Sequence, residues 1–165
     1  MLDEAKQVKA SIQDLERSHT LSDYEAVDVV WVAIIRIANL QNGQGEHQRL
    51  LALLDLLSAE AAANIVTSQG TDTLLNLDPP LEAIRSFVHE RLDVQKTANE
   101  LAAVKAIRIA DPKAALAQLA ETLKRVRNRR AHGFKTPEGP RDQVILGATA
   151  DILRRVCDLA IQQRT

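Results

Sequence analysis

Apolar residues recur at helical intervals along most of this chain. Over residues 2–18, Ala5, Val8, Ile12 and Leu15 form a narrow stripe on an otherwise polar segment. That pattern predicts a surface helix with the stripe turned inward. Ser22 and Glu25 have capping-box spacing, so a second helix starts there and runs to about Gln41. Val27, Val29, Val30, Trp31, Val32, Ile34, Ile35 and Ile37 leave it little polar face. A helix so apolar is expected at the domain centre or partly in a subunit interface. Asn42-Gly43-Gln44-Gly45 ends it.

A third helix is expected over about 46–68, where Leu50, Leu53, Leu54, Leu57 and Ala61 recur at helical spacing. Residues 69–80 read as a loop ending in Asp78-Pro79-Pro80. An aspartate cap followed by proline is a helix start. The fourth helix then spans about 79–109. Its inner face is marked by Ile84, Val88, Leu92 and Gln95, and further on by Leu101, Val104 and Ile107. Asp111-Pro112 repeats the start signal, and Leu116, Leu119, Leu123 and Val126 form a packing seam on the fifth helix. Gly133 stands where a terminating glycine would. After a loop containing Pro137, Gly139 and Pro140, a last helix over about 141–163 presents Ile145, Ala148, Ile152, Val156 and Leu159. No internal repeat is visible. The expected architecture is all-α, an antiparallel bundle of about six helices in a single domain over residues 1–165.

Composition agrees with that class. Of 165 residues, 45% are apolar and only 2% aromatic, so the core must come from Leu, Ile, Val and Ala. A net charge of −1 means no global field draws in nucleic acid, and any attraction must be local. The single cysteine, Cys157, excludes an intramolecular disulfide framework and fits a reducing cytoplasm. No secretory signal and no membrane span are expected.

The chemistry concentrates in Arg127-Asn128-Arg129-Arg130-Ala131-His132-Gly133. Arginine holds a phosphate through a planar fork of donors, and histidine moves a proton near neutral pH. Beside a ribose 2′-hydroxyl, those two groups suffice to cleave RNA without a metal. Arg127, Asn128 and His132, with a long helix before them and a closing apolar helix after, resemble the signature of HEPN domains (higher eukaryotes and prokaryotes nucleotide-binding). That signature is an arginine, often a polar residue directly after it, and a histidine beyond a spacer of four to six residues. The resemblance covers residues 80–163; residues 1–78 match only in being helical.

The resemblance implies a four-helix-type bundle that dimerises, with the motifs of two subunits facing one cleft and cleaving RNA without metal. His132 is then the general base, Arg127 the stabiliser of charge on the phosphate and Asn128 an orienting group. The second subunit's histidine is the acid. Arg129, Arg130 and Lys135 are the candidates for binding RNA phosphates. The biology implied is a toxin of a toxin–antitoxin pair or a defence nuclease, with an antitoxin or a larger defence complex as partner. Some HEPN toxins carry a tyrosine two residues after the histidine that a partner enzyme modifies. Phe134 stands there, which argues against such a partner. Residues five apart on an ideal helix lie about 140° apart. Arg127 and His132 therefore converge only where the helix ends near Gly133, or across a dimer.

Lys124, Arg125, Arg127, Arg129, Arg130 and Lys135 also form a local basic run with no acid among them. It reads as an RNA-phosphate track or as a solvated helix end faced by acids of another helix. Arg36, inside an apolar run, calls for an ion-pair partner or a cleft. His19, His47 and His89 lack metal-ligand spacing, and no phosphate-binding glycine loop is present. Neither a metal nor a cofactor is therefore expected. Cys157 reads as core packing. The alternative function is a non-catalytic helical interaction or dimerisation module that uses the basic helix end for docking.

Overall fold

Side-chain acceptors open five of the described helices of this chain. Asp3 accepts from the Lys6 N–H, Ser22 from Glu25, Ser58 from Ala61, Ser68 from Thr71, and Asp111 from Ala114. Each acceptor satisfies a backbone donor that the first turn leaves without a partner. The computed structural model describes residues 3–77, 90–131 and 139–165, with backbone alone for helical residues 90–96 and 129–131. Among the described residues there are eight helices and no strand. They are α1 (Glu4–Ser18), α2 (Asp23–Ala38), α3 (Glu46–Leu56), α4 (Ala59–Val66), α5 (Gln69–Leu75), α6 (Glu90–Ile107), α7 (Pro112–Ala131) and α8 (Pro140–Gln162).

The all-α bundle is therefore as expected, but with eight helices instead of about six. The third expected helix is two, because Leu57 leaves the helix in an extended conformation and Ser58 caps a new one. The expected loop over 69–80 holds α5 in its first part. The second helix stops at Ala38 rather than Gln41. The Asp78-Pro79-Pro80 start signal lies outside the described residues, and α6 is described from Glu90 onward. Ala5, placed on the inward stripe of the first helix, is exposed, whereas Val8 is buried with Ile12 and Leu15 packed beside it.

One apolar cluster draws on all eight helices. α2 runs through its middle, packed on α1, α3, α7 and α8. Ala26, Val27, Val30, Ala33, Ile34 and Ile37 are fully buried there. α1 and α2 form a hairpin in which the Ser11 hydroxyl donates to the Ala33 carbonyl at 2.9 Å. α3 runs antiparallel to α7, with His47 opposite Glu121 at one end and Asp55 opposite Lys113 at the other. α2 and α8 instead run in the same sense. Asp23 meets Gly147 and Arg154 at one end, and Arg36 acts on Cys157 at the other. The bundle is thus mixed rather than uniformly antiparallel.

α5 is drawn close to α8 at Gly70. A Cβ there would stand 2.8 Å from an Asp151 carboxylate oxygen and 2.9 Å from the Ala148 carbonyl. The carbonyl belongs to the α8 backbone and cannot swing aside. Gly70→Ala is expected to destabilise the protein by about 1–2 kcal/mol, because overpacking outweighs the better helix propensity of alanine. Urea unfolding measures it; unchanged or increased stability would show that α5 has room to move.

Candidate functional site

α7 carries the first five residues of the Arg127–Gly133 motif, and its sequence explains how. The Ala114 N–H is held by the Asp111 carboxylate at 3.1 Å, and Pro112 fits the first turn. Leu116, Leu119, Leu123 and Val126 are all buried, so the packing seam lies inward as its spacing predicts. Arg127 follows Val126 at the edge of that seam, half-buried and facing α2. Its Nε donates to Asp28 Oδ1 at 3.3 Å and its Nη1 to Asn128 Oδ1 at 3.3 Å. The helix continues through Ala131, so its last residues hold helical geometry beyond Arg127.

Arg127 lines an open cleft of about 300 Å3 between α2, the start of α3 and α7. The α2 side supplies Trp31, Val32, Ile35, Arg36 and Asn39, and α3 supplies Glu46. Arg36 is an ion pair, as expected of a charge in an apolar run: its Nη1 donates to Asp14 at 2.9 Å and to the Ser11 hydroxyl at 3.3 Å. It also reaches the cleft, so both sequence readings of Arg36 apply to it. Two arginines thus line one cleft, each paired with a carboxylate from another helix.

The basic run does not form one continuous face. Residues 125 and 127 lie about 200° apart around a helix. Arg125 accordingly points to α6, where it makes a two-pronged ion pair with Glu100 and donates to the Thr97 hydroxyl at 3.4 Å. For Arg125 and Arg127, acids from neighbouring helices do stand opposite. Arg129 and Arg130 lie on the described α7 backbone, but their side chains are outside the described residues. His132, Gly133, Phe134 and Lys135 also lie outside them. The described motif residues brought together are therefore Arg127 and Asn128, joined by Asp28, with Arg36 lining the same cleft as Arg127. Arg36 stands out in the sequence as a charge in an apolar run, and Asp28 is the residue that periodicity leaves unmarked. Yet a carboxylate within Ala26-Val27-Asp28-Val29-Val30 is the same signal, a charge inside an apolar helix.

The remaining candidates are explained by packing. Cys157 is fully buried, and burial, with help from Asp158, pushes its thiol up to about 12, so it stays neutral. His47 Nδ1 lies 3.2 Å from Glu121, and among the described residues no three metal-ligating side chains cluster. His89 lies outside the described residues. A polar groove of about 490 Å3 between α1 and α8 contains His19, Arg154 and Arg155. There Arg154 is engaged by the Ser18 carbonyl and hydroxyl, and Arg155 by Asp151. Among the described residues, no helix is long and apolar enough to cross a membrane. No family model, curated protein or solved structure matches this chain.

Proposed function

We propose that this protein is a HEPN-like, metal-independent endoribonuclease that acts as a homodimer with the two motifs sharing one cleft. The observation that carries this reading is Arg127. It lines an open cleft with its guanidinium held by Asp28 and Asn128, on the helix that leads directly to His132. A guanidinium fixed beside open space is what binding a phosphodiester requires. Arg36, paired with Asp14, lines the same cleft.

In the reaction, neutral His132 takes the proton from the ribose 2′-hydroxyl, and the 2′-oxygen attacks the adjacent phosphorus. Arg127 stabilises the charge that grows on the non-bridging oxygens. The bond from phosphorus to the 5′-oxygen breaks, and the protonated histidine of the second subunit gives that oxygen its proton. The products are a 2′,3′-cyclic phosphate and a 5′-hydroxyl. Arg129, Arg130 and Lys135 bind flanking phosphates, so affinity falls with salt. The setting is the cytoplasm, as a toxin or defence nuclease controlled by an antitoxin or a larger complex.

The test is single-stranded RNA with the purified protein in excess EDTA, beside His132→Ala, with analysis of the RNA ends. Cleavage by the wild type alone, leaving cyclic phosphates, is the expected result. A second reading, a non-catalytic interaction module, is favoured by one observation. Val32 is 43% exposed on the outer side of α2, between the partly buried Val29 and Ile35. Intact RNA from a folded, dimeric protein would favour that module.

A further inference from the structure

The position of Asp28 is not accounted for by helix formation. It is in the second turn of α2, past the Ser22 cap and past the first turn, where Asp23 and Glu25 meet the positive end of the helix dipole. It stands between the buried Val27 and Val30, beside the partly exposed Val29. Its carboxylate instead reaches across to α7 and takes the Nε–H of Arg127, 99 residues away in sequence.

Among the described ion pairs between helices, two are more buried than this one, and the others each have a partner more exposed than either Asp28 or Arg127. Glu100 and Arg125 are 10% and 17% exposed, and Asp14 and Arg36 are 20% and 23% exposed. Asp28 and Arg127 are 36% and 30% exposed, and Arg127 lines the open cleft. A pair that exposed contributes little to stability. Its consequence is geometric. Arginine carries one donor on Nε and two on each Nη. With Asp28 on Nε and Asn128 on Nη1, the guanidinium is pinned at two points. The Nη2 hydrogens and the second Nη1 hydrogen remain, and together they form the forked end that matches two phosphate oxygens.

We infer that Asp28 is a positioning residue for Arg127: it fixes the guanidinium so that its forked Nη end meets the scissile phosphate. This rests on the ribonuclease reading above. Asp28 does not touch RNA. Its negative charge slightly opposes phosphate binding, and its hydrogen bond holds Arg127 where charge develops in the transition state. The two effects act on different kinetic constants, which makes the role separable from a merely structural one.

The experiment is steady-state cleavage of a short single-stranded RNA in EDTA by wild type, Asp28→Ala and Asp28→Asn, with thermal unfolding of each. Asp28→Ala is expected to lower kcat by about 30- to 100-fold, the scale of a misplaced catalytic group. Its KM and melting temperature should stay close to wild type. Asp28→Asn keeps an acceptor for Nε and removes the charge. It is expected to recover kcat to within about fivefold of wild type, with an equal or lower KM. Wild-type kcat in Asp28→Ala would overturn the inference and leave the ribonuclease reading standing. A fall in kcat in both variants that tracks a fall in melting temperature would overturn it too, making Asp28 a structural prop. A wild-type protein that leaves RNA intact would remove the reading, and this inference with it.

Discussion

Arg127→Ala is expected to slow RNA cleavage by about 10²- to 10³-fold, the usual effect of deleting one group that stabilises transition-state charge. The fold should survive the change. Arg127 is 30% exposed, and the Asp28 carboxylate is 36% exposed and open to water. Arg127→Lys tests the fork rather than the charge. An ammonium is a point charge and cannot hold Asp28 and Asn128 while offering a planar edge to phosphate. It is therefore expected to recover less than about tenfold of the lost rate. Single-turnover cleavage in EDTA, with thermal unfolding alongside, measures both. An Arg127→Ala protein as fast as wild type would sink the proposed site. The same assay tests the proposed sharing of one cleft by two subunits. With wild type and His132→Ala mixed and allowed to exchange subunits, a composite site loses activity as the square of the wild-type fraction. Independent sites lose it in simple proportion.

α7 and α8 were legible in sequence because local and tertiary signals agree there. An aspartate–proline start and an unbroken seam from Leu116 to Val126 leave one solution for α7. The segment from 46 to 75 was less legible because two signals compete. Leucine and alanine periodicity runs straight through Leu57 and Ser58, yet Ser58 spends its hydroxyl on the Ala61 N–H and starts a new helix. Gln69-Gly70-Thr71 has poor helix propensity and reads as loop. The bundle nevertheless makes it helical, with the Thr71 hydroxyl donating to the Ile65 carbonyl at 2.8 Å and Gly70 letting α5 approach α8. At the site, Arg127 and Asn128 are neighbours in the chain, so the motif shows them together. Asp28 joins them through the packing of α2 on α7, and periodicity says that two helices have buried faces without saying which partners meet.

The ion pair between α6 and α7 has the opposite character to the one at the cleft, and Glu100→Ala is expected to show it. Glu100 takes both Nη groups of Arg125, one of them at 3.0 Å, with the Thr97 hydroxyl accepting a further bond. Glu100 is only 10% exposed and Arg125 only 17%. Removing the carboxylate leaves a guanidinium between two helices with little water and one hydroxyl. The expected loss is about 3 kcal/mol, the lower end for breaking a buried pair. For a chain of this size that lowers the melting temperature by roughly 6–12 °C. The double change Glu100→Leu with Arg125→Met removes both charges at similar volume and is expected to regain most of that stability. A double-mutant cycle in urea measures the coupling. If Glu100→Ala unfolds like wild type, water reaches Arg125 and the pair is superficial. If the coupling is as large as expected, the Arg125 and Arg127 pairs of α7 divide their work by burial. Arg125 fastens the helix to α6 from one side, and Arg127, freer to be tuned because less is staked on it, is held by Asp28 on the other. Substitutions at Glu100 should then lower activity only as they lower stability, whereas those at Asp28 lower activity alone.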